Sequence, residues 1–289
     1  MYSFSAFKSQ INSAANEEHT MFELLINTWL DFPLWLTIPT TLLVWMTSAA
    51  GLWWLFQYSR WTSFWRTCLG VVPPYLGLFG ALFGISIGFM GADIWQRIER
   101  AQQAVLQEAS ALDLLTRYAS ALGSAGEPVT ASVCVYANAV IQQEWPTMVL
   151  EGMASPDTET ALNNLTLLLV APEFTTQVNA TVGREMLSIT NQIRQYRVSR
   201  IHLSSSHSNT GKWMLLLFLG FMSQISISMV HLDKSRAQAL ALTVFTITIV
   251  VSLNLLAGMD QPFTSPFAVS NTPIAELTGC PMTHPAGKG

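Results

Sequence analysis

The chain has 289 residues, of which 50% are hydrophobic and only 11% are charged, against roughly a quarter charged in an ordinary soluble domain. This composition is typical of a membrane protein and excludes a protein that is water-soluble over its whole length. The formal net charge of −4, from 18 acidic and 14 basic residues without a basic run, gives no indication of a nucleic-acid partner.

Residues 1–33 form a tail that lacks the basic start and apolar core of a signal peptide. A group of mostly apolar residues near its end falls on one helical face, which suits either a short helix at the membrane interface or a plain surface helix. These residues are Met21, Leu24, Leu25, Thr28 and Trp29.

Four stretches without charge are long enough to cross a bilayer, which takes about 20 helical residues. We therefore predict two transmembrane hairpins, at 34–92 and 213–259. Because the spans contain no carboxylate or basic residue, a proton relay, a charged coupling site or a voltage sensor is disfavoured. The four stretches are Leu34–Phe56, Leu69–Ala92, Trp213–Val230 and Ala237–Met259.

The second span carries a stripe of glycines at spacings of three and four residues, which lets another helix backbone approach closely. Tight helix packing is one interpretation, and a smooth pore wall in an oligomer is the other. The pattern alone does not separate them. The glycines are Gly77, Gly80, Gly84, Gly88 and Gly91.

Residues 93–212 contain helical stretches divided by clusters of helix-breaking residues. We predict a soluble four-helix domain inserted between the second and third spans, and hence an all-α membrane protein. The first and last of its helices continue the neighbouring spans. The helical stretches are 93–121, 129–149, 158–170 and 175–207, and residues 260–289 follow the last span as a Pro-rich tail.

The basic residues of the short loops predict the orientation. Arg60 and Arg66 lie in one loop, and Lys234 and Arg236 lie in the other. By the positive-inside rule these loops face the cytoplasm, and both tails and the 93–212 domain lie outside. The favoured location is a bacterial inner membrane with an extracytoplasmic domain, although several arginines on the domain side count against this orientation.

The three cysteines, Cys68, Cys134 and Cys280, are far apart and form no Cys-x-x-Cys motif. Their spacing indicates neither a disulfide framework nor a zinc site. The chain also has no nucleophile motif, phosphate loop or dinucleotide fingerprint, so we predict no enzyme activity and no cofactor.

Two carboxylates fall among apolar residues of predicted helices. Glu108 shares a helical stripe with Val105 and Leu112, and Glu144 shares a face with Val140 before Trp145. A buried carboxylate has to be paired, coordinated or protonated.

Arg194, Arg197 and Arg200 recur at three-residue spacing and are candidate partners for these carboxylates. We favour a structural ion pair that fixes the register of the bundle. Two alternatives stay open: the arginines meet lipid headgroups or attract anions, or the glutamates bind a divalent metal. Because the Glu-x-x-His motif of bundle metal sites is absent, we predict no metal.

Four short sequences carry a resemblance. Together with the layout of residues 35–265, they resemble the bacterial bestrophin-like membrane proteins. The four sequences are "QEASALDLL" (Gln107–Leu115), "YANAVIQQEWP" (Tyr136–Pro146), "RVSRI" (Arg197–Ile201) and "MDQPF" (Met259–Phe263). The resemblance singles out, without assigning roles, Glu108, Glu144, Trp145, Pro146, Arg200, Asp260 and Pro262.

Bestrophins, to which this family is distantly related, are oligomeric anion channels. The resemblance therefore implies a homo-oligomeric channel in a lipid bilayer that conducts small anions such as chloride, and we expect Ala at Arg197 and Arg200 to reduce conductance. The alternative is a non-conducting membrane protein whose helical domain binds a partner or senses envelope stress.

Overall fold

The computed structural model describes residues 24–26, 28–30, 32–60, 62–67, 73–205, 209–264 and 267–277. In these ranges all regular secondary structure is helical. Met21 of the predicted interfacial helix, Cys68, Cys280 and the start of the second predicted span lie outside them.

In the described ranges, eleven α-helices follow a helical segment at residues 24–26 and 28–30. They are α1 (Leu34–Tyr58), α2 (Thr62–Thr67), α3 (Pro73–Ala121), α4 (Glu127–Ala139), α5 (Trp145–Glu151), α6 (Pro156–Val170), α7 (Pro172–Thr175), α8 (Ala180–Ser205), α9 (Thr210–Val230), α10 (Ser235–Asp260) and α11 (Thr272–Ala275). A 3₁₀ turn at Gly123–Ala125 precedes α4, and a π-helical turn at Val140–Glu144 joins α4 to α5.

Four helices of the described chain are long and apolar enough to cross a membrane. The apolar segments lie in α1, in the first part of α3, in α9 and in α10. They carry exposed large apolar side chains, such as Leu43, Phe89 and Leu240, each at least two-thirds exposed. Such surfaces suit hydrocarbon and not water, so the chain is an integral membrane protein.

The chain divides into two compact units, each described separately below. The membrane unit comprises residues 1–94 and 207–260. The bundle unit comprises residues 95–206 and 261–289. Helix α3 is continuous over 49 residues, begins in the membrane unit and ends in the bundle unit.

Hydrogen bonds between uncharged side chains join the helices of the membrane unit. The Gln224 amide on α9 donates to the Thr246 hydroxyl on α10 at 2.9 Å, and its carbonyl oxygen accepts from the Ser48 hydroxyl on α1 at 2.9 Å. A second bridge joins Gln57 Nε2 to Gln238 Oε1 at 2.7 Å. Since hydrocarbon offers polar groups no partners, these bonds fix how α1, α9 and α10 face each other.

Gly220 permits the closest packing among the helices of the membrane unit. A Cβ atom added there would lie 2.9 Å from the Trp45 ring and 3.3 Å from the Phe83 ring. Both rings are buried. Glycine is therefore required where α9 meets α1 and α3.

The predicted glycine stripe on α3 does not pack in this way. No described neighbouring atom lies within 4 Å of a Cβ added at Gly77, Gly80, Gly84 or Gly88. Only Gly91 has a neighbour, the Leu256 side chain at 3.7 Å. Tight packing within one protomer therefore does not explain these four exposed glycines.

The helical segment that precedes α1 packs on the protein through Ile26 and Leu30. Ile26 and Leu30 are buried, while Leu24 and Leu25 are 68% and 59% exposed. Part of the predicted apolar face, at Leu24 and Leu25, is thus exposed, which suits a helix at the membrane interface.

The bundle unit has one continuous apolar core made by α3 to α8. The turn between α3 and α4 requires Gly126, because an added Cβ would lie 1.8 Å from the Ala119 carbonyl oxygen. The C-terminal segment does not stand apart as a tail: Phe263, Ile274 and Leu277 are buried in the same core. These contacts place the described residues after Asp260 in the bundle unit.

Cys134 on α4 is disulfide-bonded. This corrects the sequence-based expectation of no disulfide. Spacing along the chain gave no signal for it, because disulfide formation depends on distance in space. The other two cysteines lie outside the described residues.

The packing at Gly220 makes a direct prediction. Alanine favours a helix over glycine by about 1 kcal/mol, but at Gly220 the added methyl group overlaps Trp45, and overpacking costs about 1–3 kcal/mol. We expect Gly220→Ala to lower the melting temperature measured by circular dichroism in detergent. The matched change Gly51→Ala, at an exposed position of α1 where an added Cβ would have no neighbour within 4 Å, should leave it unchanged or raised. Equal melting temperatures for the two variants would contradict the packing described here.

Candidate functional site: a buried ion-pair cluster

Glu108 is held inside the bundle unit by the apolar stripe of α3. Its neighbours one turn away, Val105 and Leu112, are buried, and Glu108 itself has no exposed surface. The helical periodicity that buries these apolar residues also buries the carboxylate, which therefore needs compensating partners.

Glu144 reaches the same interior through the π-helical turn. The Trp145 N–H donates to the Val140 carbonyl, five residues back, which is the π-helical pattern. Pro146 follows and has no N–H to continue the regular ladder. This wider turn ends in a fully buried Glu144, whose Oε2 also accepts the Ser155 N–H at 3.3 Å.

Arg200 on α8 binds both carboxylates. Its Nε donates to Glu108 Oε2 at 2.7 Å and its Nη2 donates to Glu108 Oε1 at 3.1 Å, a bidentate pair. The same Nη2 donates to Glu144 Oε1 at 2.8 Å. Burial alone would lower the pKa of Arg200, but the ion pair with Glu108 outweighs it and raises the pKa.

Arg197, one turn earlier on α8, binds Glu144 and Glu159. Its Nη2 donates to Glu144 Oε2 at 2.5 Å, its Nε donates to both Glu144 oxygens, and its Nη1 binds Glu159. Burial opposes the charge of Arg197, but the hydrogen bonds to Glu144 outweigh it and raise the pKa. Glu144 is thereby shared by two arginines.

Glu159 on α6 connects the cluster to the surface. Its side chain is 42% exposed and also accepts from Arg194 Nη1 at 2.6 Å. Burial would raise the pKa of Glu159, but the hydrogen bonds from Arg194 and Arg197 lower it. The third arginine of the predicted row thus binds Glu159, not the buried pair.

Tyr136 on α4 completes the hydrogen bonding of Glu108. Its hydroxyl donates to Glu108 Oε1 at 2.6 Å. Burial, together with the negative charge of Glu108, raises the pKa of Tyr136 well above its ordinary value. The hydroxyl therefore stays protonated and acts as a donor across the physiological range.

Trp145 covers the guanidinium group of Arg200. The centre of that group lies 5.5 Å from the Trp145 ring centroid, within cation–π distance. Trp145 also packs edge-on against Phe263, with the two ring centroids 5.6 Å apart. The motif tryptophan thereby joins the ion pairs to the C-terminal segment.

The charges at the centre of the cluster balance. Arg197 and Arg200 face Glu108 and Glu144, and side-chain exposures are 2% or less for all four. An anion in solution cannot reach guanidinium groups that are enclosed and already bound to carboxylates. The geometry favours the structural interpretation over anion attraction. If Arg197→Ala or Arg200→Ala lowers conductance, we therefore expect the cause to be damage to the packing of the bundle unit.

The other predicted site residues lie elsewhere. Pro262 is buried in the bundle unit, and its carbonyl accepts the Val269 N–H at 2.8 Å. Asp260 is buried at the end of α10 in the membrane unit. Among the residues that the structure describes, no group of three His, Cys, Asp or Glu side chains is arranged to hold a metal ion.

Two members of the cluster were not predicted from the sequence. Tyr136 shares the buried face of α4 with Val133 and Ala137. The one sequence feature that pointed to Tyr136 was its position at the start of the motif that ends at Pro146. Glu159 lies in the first turn of α6, where acidic residues are common for electrostatic reasons, so its sequence position gave no signal.

Comparison with known proteins identifies one family. The model of the bestrophin-like domain matches residues 47–274. That range includes every member of the ion-pair cluster. Comparison with curated proteins gives no match.

The fold is similar to solved structures of membrane proteins. One variant of a bacterial bestrophin homolog from Klebsiella pneumoniae has a TM-score of 0.63 at 12% identity, covering 84% of this chain and 99% of that chain. Another variant has a TM-score of 0.63 at 13% identity, with coverage of 84% and 94%. A structure described as a membrane protein has a TM-score of 0.62 at 12% identity, with coverage of 82% and 94%. At these identities the likeness shows the fold alone.

The cluster predicts a large difference between two arginines. Arg200→Met leaves Glu108 buried without its bidentate partner, and breaking a buried pair costs about 3–5 kcal/mol. Arg117→Met removes an exposed pair with Asp113, 2.8 Å apart, and such pairs are worth at most about 1 kcal/mol. We expect the free energy of unfolding in denaturant titrations to fall sharply for the first variant only. Similar values for both would contradict a stabilising role for the cluster.

Proposed function

Because the chain belongs to the bestrophin-like family, we propose that it assembles into a homo-oligomeric membrane channel that conducts small anions such as chloride. The membrane is proposed to be a bacterial inner membrane, and the bundle unit is proposed to be a soluble domain inserted between the second and third spans. No catalytic step is part of this function.

The observation that carries the proposal is the exposed glycine stripe of α3. Four helices without charged residues are too few to enclose an ion path, so several subunits have to surround it. Gly77, Gly80, Gly84 and Gly88 have no described neighbour within 4 Å in the protomer. A smooth face without intramolecular contacts suits a pore wall or a close contact between subunits.

The bundle unit is proposed to control the pore through α3. This helix is continuous from Pro73 to Ala121 and carries both the glycine stripe and Glu108. Since Glu108 is bound to Arg200 at 2.7 Å, α3 and α8 are expected to move together. A displacement of the bundle would then be transmitted along a rigid helix instead of being absorbed by a flexible linker.

A non-conducting function is the second candidate, in which the bundle unit binds a partner or senses envelope stress. The observation that favours it is the neutral, enclosed ion-pair cluster, which gives mechanical rigidity without offering charge to an ion. This candidate predicts monomers or dimers and vesicles that hold chloride.

The disulfide of Cys134 supports an extracytoplasmic location of the bundle unit. Disulfides persist in oxidising compartments and are rare in the cytosol. Cys134 lies on α4, within the bundle unit. This agrees with the orientation expected from the basic residues of the short loops.

Chloride efflux tests the channel proposal. We expect purified protein in liposomes to release chloride and the detergent-solubilised protein to have the mass of a higher oligomer. Gly84→Val places a branched side chain on the proposed pore or subunit face and should reduce efflux several-fold at unchanged helix content. The matched variant Ala50→Val, on an exposed position of α1, should retain efflux. Tight vesicles with wild-type monomers or dimers would favour the non-conducting function instead.

Thiol labelling tests the location of the bundle unit. In intact cells, with a membrane-impermeant maleimide, Cys134 should be unreactive until the cells are reduced and should then be labelled, because the disulfide protects it and the reagent reaches it from outside. The variant Cys134→Ser serves as the control for assigning the label. Labelling without reduction, or only after cell lysis, would contradict the proposed location.

A further inference from the structure

The membrane unit contains a cavity of about 390 Å³ that the channel proposal does not use. Its walls come from the helical segment before α1 and from α1, α9 and α10. A volume of a few hundred Å³ is within the range of pockets that bind small molecules. The residues that define its chemistry are Trp29, Thr41, Val44, Trp45, Met214 and Leu253.

The cavity offers an occupant almost no polar partner. Thr40 and Thr41 line it, but their hydroxyls donate to carbonyls of their own helix, that of Thr40 to Leu36 at 2.8 Å and that of Thr41 to Thr37. The remaining walls are apolar or aromatic. Water requires two to four polar partners, so the cavity suits hydrocarbon.

The mouth of the cavity opens on the apolar surface of the membrane unit. Val44 and Leu25 line the cavity and are 61% and 59% exposed, and Leu43 beside them is 67% exposed. In a bilayer the medium against such a surface consists of acyl chains. An empty cavity would forfeit dispersion contacts that a chain entering it gains.

The walls of the cavity are rigid enough to define a binding site. Trp45 is buried against Gly220, and Trp29 packs edge-on against the buried Trp213 with ring centroids 5.5 Å apart. Large aromatic side chains fixed by such contacts shape a slot that persists when it is unfilled.

We propose that this cavity binds one acyl chain of a membrane phospholipid. A second copy of the chain is the less suitable occupant, because no residue of α3 lines the cavity and the exposed glycine stripe lies on that helix. The proposal requires only the membrane location and does not depend on conduction.

The test uses the full-length protein in vesicles of phosphatidylcholine that carries a photoactivatable diazirine in its acyl chain. After illumination, the labelled residues are mapped by mass spectrometry. We expect labelling of Met214, a partly buried wall residue, to exceed labelling of Val251, which is 61% exposed on α10. Greater labelling of a partly buried residue cannot come from the lipid layer around the protein.

Two variants of α1 make the test specific. Val44→Phe fills the mouth of the cavity and should lower the labelling of Met214 several-fold. Leu43→Phe makes a similar change at an exposed position outside the cavity and should leave it unchanged. Both positions are exposed, so both variants are expected to fold, which circular dichroism checks. Labelling of Met214 that does not exceed that of Val251, or that persists in Val44→Phe, would overturn the proposal.

Discussion

The bidentate ion pair between Arg200 and Glu108 is the contact on which the bundle unit depends most. Neither side chain has exposed surface, so each charge has lost its hydration and is stabilised only by its neighbours. Glu144, Arg197 and Tyr136 supply the remaining hydrogen bonds. A cluster of this kind contributes little net stability compared with an apolar core, but losing one partner is costly, so it restricts the helices to one register.

In the membrane unit the relative positions of the helices are fixed by uncharged groups. Its helices are joined by amide and hydroxyl groups, as in the contact of Gln224 with Ser48 and Thr246, and by the close approach of Trp45 to Gly220. Ion pairs are costly in hydrocarbon, whereas amide hydrogen bonds are tolerated. The exposed glycine face of α3 in the membrane unit is free of charge, and this suits either a subunit contact or a pore wall that delays ions little.

Much of the arrangement follows from helical periodicity. The burial of Glu108 could be predicted because apolar residues precede and follow it at one-turn spacing, and the need for an arginine partner then followed from the cost of an unpaired charge. Periodicity says nothing about which arginine binds which glutamate: Arg194 has the same spacing as its neighbours, yet it binds Glu159 and Asn163. The π-helical turn at Val140–Glu144 could not be predicted either, because a helical pattern of apolar residues does not show where one extra residue is inserted in a turn.

Other features could not be predicted because they depend on contacts between distant parts of the chain. The C-terminal segment has no regular period, and only its packing shows that Phe263 and Ile274 belong to the core. The disulfide of Cys134 likewise depends on distance in space. In the segment before α1 the apolar pattern did not show which residues pack on the protein: Ile26 and Leu30 are buried, whereas Leu24 and Leu25 are exposed, because apolar residues can face lipid as readily as protein.

A double-mutant cycle between Glu108 and Arg200 tests the central claim most directly. The free energy of unfolding would be measured for the wild type, Glu108→Gln, Arg200→Met and the double variant. If the ion pair fixes the register of α3 and α8, the double variant should be more stable than the sum of the single effects implies, with a coupling of up to about 3 kcal/mol. Single effects that add to within about 0.5 kcal/mol would show that the two side chains act independently, and would contradict the account.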